Sequence, residues 1–482
     1  FCWYGPSAFL KQYHPKYADP TFLQNQINEH GVSDWNNLWV IIAAVDLPGA
    51  GKGVGDGLPC TTAWCIEGVH SDSQGTLMRN HFNHQVDPKA NQLPYADGLT
   101  MIRTESREVA IFRSMAGETD GYSTMSQLQE VPMYMNNMVR GDYSIRRWPT
   151  PGGADGGISL NQTWNDDAEI GRWIRTKDFR RALSMGMDRD AINESVFLGI
   201  AVPQNWNPHP TTLWYAGADW SSVDANYDPA AANAILDGLG LTTKDSNGYR
   251  TRLDGAGPIE LSSVLNPDES VDISEMLQNY WKAIGIKYTF RSQNAAHKPI
   301  RANQEYMGIS IDVSCYQANP WAVTWTSLAP LTASNHAATK IGEWYYSAGE
   351  SGMAKGVDTA FLPLAPATGF PGDPDGGLEK SNDLWQSGRQ YPKLDPKRIE
   401  IGKEIFSTMA GNKYFIGTVA FSGTRRGVVF QRNNFRNVPV THSRDQFGFW
   451  RETYFFEDGI DNYNHPGNKS RKFKSVSFLS DL

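Results

Sequence analysis

The apolar positions of this chain fall into short blocks, some at helical spacing and some alternating as strands. Ile259–Val264 reads as a strand. Ile273, Met276, Leu277, Tyr280, Trp281 and Ile284 then keep helical spacing up to Gly285, after which Ile286, Tyr288 and Phe290 alternate as a second strand. Strand, helix and strand with such short joints predict a parallel pair with a right-handed crossover. Phe179, Ala182, Leu183 and Met187 mark another helix, and Asp188 caps a further one through Ile192 and Val196 that ends at Gly199. Asp228-Pro229 and Asp395-Pro396 each set an N-cap before a proline in the first turn. The first opens a helix with Ala232, Ile235, Leu236 and Leu239 on one stripe; the second runs to about Met409 and leads into an apolar strand, Tyr414–Val419.

The amino-terminal third is patterned more weakly. Helical signals at Ser7–Lys11 and Thr21–Asn28 give way to a loop. Its glycine-rich centre, Gly49–Gly55, is not a phosphate-binding loop: Gly53 follows Lys52 where Ser or Thr is needed, and Asp46 holds the first-glycine position. It reads as a connector. Leu99–Arg103 is a predicted strand, and Ser106 opens a helix with Val109, Phe112 and Met115/Ala116 on one face, stopped by Gly117. A short strand follows near Asp120–Tyr122. Gly/Pro-rich loops at 149–157 and 363–377 interrupt the pattern, and no fixed-period repeat is present. The whole predicts an α/β fold with more than one lobe, and 482 residues suit two to four domains.

Composition narrows the function classes. The formal charge of -8, from 44 Lys+Arg against 52 Asp+Glu, comes without a basic stripe. Nucleic acid is therefore not an expected partner, because phosphate contacts supply most of that affinity. The longest apolar run, Leu38–Val45, is far short of a membrane span. Sixteen Trp, 20 Tyr and 21 Phe suit either a large core with interdomain packing or a cleft lined by flat rings. Of the four cysteines, Cys60 and Cys65 are near enough to pair in an oxidising compartment, while Cys2 and Cys315 look solitary. Phe1-Cys2-Trp3-Tyr4 begins in mid-pattern with no export signal, which reads as the interior of a longer chain.

Several motifs, in order, carry a resemblance. They are Asp87-Pro88-Lys89-Ala90-Asn91-Gln92-Leu93-Pro94-Tyr95-Ala96-Asp97, Ala116-Gly117-Glu118-Thr119-Asp120, and Phe179-Arg180-Arg181-Ala182-Leu183-Ser184 with Asp188-Arg189. Asn207-Pro208-His209-Pro210, Tyr227-Asp228-Pro229-Ala230-Ala231-Ala232 and Trp281-Lys282-Ala283-Ile284-Gly285-Ile286 complete the series. It resembles the extracytoplasmic solute-binding proteins, family 5, of ABC importers: the dipeptide-, oligopeptide- and nickel-binding group. The resemblance covers roughly 58–480. It implies the large family-5 form of the type II periplasmic-binding-protein fold, two α/β lobes around a cleft, here with the early part missing. Residues 1–57 would end an inserted extra domain and its connector, and 58–160 would be a returning segment of the first lobe. Residues 161–430 would form the second lobe, and 431–482 would return to the first. It also implies a periplasmic or lipid-anchored extracellular monomer that hands a solute to a membrane permease. Asn80-His81-Phe82-Asn83-His84 departs from the family's usual Asn-Pro-Tyr-Tyr-Trp.

Catalytic chemistry finds no foothold. His81 and His84 have the spacing of a metal pair but no third ligand nearby, so no metal or other cofactor is expected. Nucleophile-elbow and zinc-protease motifs are absent. Asp166-Asp167, being adjacent, point apart and suit a helix start rather than a glycosidase pair. Binding residues are proposed instead. Asn161–Trp164 is read as a strand where the family's chain crosses between lobes, either with Asn161 and Trp164 as ligand contacts or as a structural hinge strand with Trp164 outward. Asp120 and Tyr122 resemble the family's cleft edge. Trp206, Trp214, Tyr316, Trp321 and Trp325 are placed near the second-lobe wall, Trp321 and Trp325 sharing one helical face. A peptide held through its backbone and an oligosaccharide stacked on rings both fit such a wall.

Overall fold

The computed structural model describes residues 7–43, 62–71, 74–124, 130–148, 151–164, 166–265, 271–292, 310–312, 318–321, 328–332, 337–346, 375–423, 428–438, 451–457 and 475–479. The chain divides into two compact units. One gathers Phe1–Trp148, Arg426–His442 and Gln446–Leu482; the other holds Pro149–Arg425 and Ser443–Asp445.

The first unit is built on a seven-stranded mixed sheet. Its strands from the amino-terminal part are β1 (Trp64–Ser71), β2 (Gln74–Arg79), β3 (Gly98–Ile102), β4 (Gly121–Thr124) and β5 (Tyr143–Arg147). From the second unit the chain returns with β12 (Val428–Arg432) and β15 (Ser475–Leu479), giving the order β1-β2-β3-β15-β4-β12-β5, and between them β13 (Phe435–Arg436) and β14 (Phe455–Phe456) form a separate antiparallel pair. β15 runs parallel to β3 and β4, while β12 is antiparallel to β4 and β5. Two helices flank this sheet in sequence, Arg107–Met115 and Val131–Gly141. Ser106 caps the first through its side chain, as expected, but the buried stripe is Ala110, Ile111, Ser114 and Met115. Val109 and Phe112, predicted to face the core, are exposed. The buried face is rotated by about one position because Tyr134, Tyr143 and Phe430 pack on the Ala110/Ile111 side. The amino-terminal segment carries a third helix, Trp35–Ala43, where only a loop was expected; Leu38 buries against Leu23 and Ile27 of Pro20–Glu29. Residues 49–55 lie outside the described residues.

The second unit contains a four-stranded antiparallel sheet, β10 (Ser310–Asp312), β6 (Gly156–Ser159), β11 (Phe415–Ala420) and β7 (Val202–Pro203) in that order. β11 is buried along its whole length because both faces are covered. Ile416 and Val419 enter one core with the helices Lys177–Met185, Arg189–Phe197, Pro229–Gly238 and Val271–Ala283. Phe415 joins another with Thr339–Tyr346, Gly377–Gly388 and Pro396–Asn412. Ile416 and Val419 share a face despite their odd separation because the register shifts between Gly417 and Val419. The predicted strand–helix–strand is present: β8 (Glu260–Leu265) and β9 (Lys287–Ser292) pair in parallel around Val271–Ala283, whose Ile273, Leu277 and Trp281 are fully buried. Asp228 and Asp395 cap their helices as the sequence predicted, accepting from Ala231 N and Lys397 N.

Candidate binding site

In the second unit the residues 161–164 form a turn rather than the expected strand. The Asn161 carboxamide oxygen accepts from both Thr163 N and Thr163 Oγ1, which folds the backbone on itself after β6 and prevents its extension. The turn is polar yet buried, with Gln162 and Thr163 at 0% and 1% exposure. Gln162 N donates to Ala337 O, Thr163 Oγ1 accepts from Lys340 N, and Arg175 Nη1 donates to Trp164 O at 2.9 Å. Burial pushes the Arg175 guanidinium down to about 10. Asp167 is the N-cap of the next helix, Ala168–Arg175, accepting from Ile170 N and pairing with Arg252. This matches the helix-start reading of the Asp166-Asp167 pair.

Arg180 ties the turn to distant segments. Its side chain is fully buried, and Nη1 donates to Gln162 Oε1 at 2.9 Å and to Ile174 O. Nε reaches Asn412 O, Nη2 pairs with Asp375 at 2.9 Å, and the guanidinium lies 4.8 Å from the Tyr414 ring centroid. A buried charge with this many partners is a fastener between distant segments. Arg189 does the same for the carbonyls of Ser184, Ala225 and Gly417. The Arg180–Arg189 motif, quoted above only for its resemblance, is thus scaffold. Its signal was available: Arg180 shares a helical face with Leu183, Ser184 and Met187, where a solvated arginine does not belong.

The aromatic wall candidates are largely spent on packing. Trp206 is 1% exposed, its rings against Phe406 and Phe415 and its Nε1 donating to Gly152 O at 2.7 Å. It is a core residue, not an open wall, because helix Pro396–Asn412 and β11 close over it. Trp164 and Trp214 are also buried. Trp321 is half-buried: Nε1 donates to Trp385 O at 2.8 Å, Trp214 lies 6.4 Å away, and the Arg398 guanidinium sits 4.5 Å from its centroid. Tyr316 and Trp325 lie outside the described residues.

In the first unit Asp120 precedes β4 and is fully buried, its carbonyl accepting from Arg432 N at 3.0 Å. Arg432 Nη1 also holds Gly117 O and Gly141 O. Gly117 has φ +74, and a Cβ there would stand 2.3 Å from Arg432 Nη1. The bend before β4 therefore requires glycine. Tyr122 lies in β4 opposite Phe430. His81 and His84 are both exposed, and no group of three or more potential metal ligands occurs among the described residues. Cys65 is disulfide-bonded; Cys2, Cys60 and Cys315 lie outside the described residues.

These parts define an α/β solute-binding fold, and solved structures share it. An oligopeptide-binding protein OppA matches over 94% of this chain and 70% of its own, with TM-score 0.58 and 24% identity. The periplasmic binding protein MelB of Agrobacterium fabrum C58, solved with stachyose, matches over 97% and 64%, with TM-score 0.59 and 18% identity. The model of the bacterial extracellular solute-binding proteins, family 5, matches residues 69–335, more than half of the chain, and the chain belongs to that family. Among curated relatives, a periplasmic alpha-galactoside-binding protein of Rhizobium meliloti is 25% identical over 310 residues, 59% of this chain and 39% of its own length. A di/tripeptide-binding protein of Pseudomonas aeruginosa is 34% identical over 110 residues, 23% of this chain and 18% of its own. The chain thus spans well under half of the curated relatives it matches. The family and fold expected from the sequence are those found.

Proposed function

We propose that this chain is the non-catalytic solute-binding component of an ABC importer. It takes up a short peptide outside the cytoplasm and delivers it, as a monomer, to a membrane permease. The observation that carries this reading is the family match over 69–335, on a fold shared across nearly the whole chain. The relatives that match are named as binding proteins, which supports a role without bond-breaking chemistry. Peptide is placed first on the di/tripeptide-binding relative, the more similar of the two per residue matched. Oligosaccharide is the second reading, favoured by the longer match to the galactoside-binding relative. The tryptophan count lends sugar little support, since Trp148, Trp173, Trp206 and Trp281 are all interior.

The test is a panel of tri- to pentapeptides beside raffinose and stachyose, followed by thermal unfolding and titration calorimetry. A ligand at 100 times its Kd adds about 2.7 kcal/mol to folding stability. A melting rise with peptides alone supports the first reading, and a rise with the sugars alone supports the second. Turnover of either, seen as new products by mass spectrometry, overturns the non-catalytic proposal.

A further inference from the structure

A second buried cluster surrounds the end of the helix Pro396–Asn412. Lys413 ends the helix Pro396–Asn412 in a left-handed conformation, φ +56, and its side chain is fully buried. Its ammonium donates to Ala410 O at 2.7 Å and stands 3.4 Å from Asp224, which has φ +48 in the connector before Pro229–Gly238. Asp224 also receives Arg181 from helix Lys177–Met185, and its carbonyl accepts from Ser184 Oγ at 2.7 Å. Arg189, from the following helix, donates to Ala225 O beside it. Asp178 pairs with Arg181 from a half-exposed position, and the exposed Asp190 acts on Arg189. Two buried cations, Lys413 and Arg189, and the partly exposed Arg181 therefore stand around the mostly covered carboxylate of Asp224, with two further carboxylates at the rim. Two buried cations beside one carboxylate are costly, and Lys413 relieves this most readily, because an ammonium gives up its proton far more easily than a guanidinium does.

We propose that Lys413 is the proton-labile member of a latch joining the 222–228 connector to the end of the 396–412 helix. Under mildly alkaline conditions it becomes neutral within the folded unit and tightens the fold. Burial, opposed by Asp224 and reinforced by Arg189 and Arg181, pushes its ammonium down to about 8. The sign follows from linkage: the unfolded chain then holds a proton that the folded chain has lost, so stability rises with pH across the interval between the two values.

The experiment uses the whole chain labelled with carbon-13 at lysine Cε. The expected result is one lysine resonance titrating at least about one pH unit below the others and missing from Lys413→Met. Asp224→Asn should move the same midpoint lower still, which assigns the resonance even where Lys413→Met fails to fold. Between pH 7 and 9.5 the melting temperature of the wild type should rise relative to Lys413→Met. If every lysine titrates with the bulk, or the low midpoint is unmoved by Asp224→Asn, the latch is overturned.

Discussion

Replacing Trp321 with alanine separates wall packing from ligand contact. The ring fills the notch at Gly388, where a Cβ would come within 2.1 Å of its Cζ2. It also stacks under Arg398 and bonds to Trp385 O, so alanine opens a cavity and leaves both partners short of a contact. Large aromatic-to-alanine changes in cores cost ~3–5 kcal/mol. A half-buried ring belongs at the lower end, and a lost hydrogen bond adds about 1 kcal/mol. At roughly 2–4 °C per kcal/mol, the melting point should fall by on the order of 10 °C. The assay is urea unfolding with the slope monitored, beside calorimetric titration of whichever probe binds the wild type, well below the midpoint. Affinity of the folded protein should change less than threefold. A tenfold loss of affinity with an unchanged melting point would refute the packing argument and put the exposed edge of Trp321 against ligand.

Three further outcomes are expected. Gly153 has φ +90, and a Cβ there would lie 1.8 Å from Asn207 O, so Gly153→Ala should unfold the second unit or lower its melting point steeply. Gly217→Ala, at φ +112 and ψ 160 with open space around it, should cost ~1–3 kcal/mol of backbone strain in the same melts, well short of the Gly153 effect. Asp224 should show acid linkage: burial raises its carboxyl, but the hydrogen bonds of Arg181 and the charge of Lys413 outweigh this and leave it below the usual aspartate value. The stability gap between wild type and Asp224→Asn, present at neutral pH, should close as pH falls below about 4; a gap that persists at pH 2 counts against the ion pair.

What the sequence made legible was local. Asp228-Pro229 and Asp395-Pro396 announce helix starts because cap and proline act within one turn, and β8 to β9 was readable because its core stripe is uninterrupted. The β1–β2 hairpin escaped notice, its register broken twice, between Ile66 and Gly68 and between Val69 and Ser71. Helix Gly377–Gly388 starts from a left-handed Gly376 without a side-chain cap, so no local signal marks it. Site residues were harder still. Trp206 is expected on a ligand wall, and only the tertiary packing of the 396–412 helix and β11 decides that it is interior. Residue type reports what a side chain can do; its neighbours decide whether it is free to do it.

The return of β12 and β15 to the first sheet has a consequence for how the chain is made. Synthesised from the amino terminus, the ribosome delivers β3 and β4 long before the strand that lies between them, β15, exists. At roughly 5–20 residues per second that wait lasts on the order of tens of seconds. Throughout it, the inner edges of β3 and β4 are open to wrong pairing, whereas the second unit is nearly continuous in sequence. Until β15 emerges the nascent first unit carries two open strand edges in the middle of its sheet, and a chain cut before 475–479 would keep them open for good.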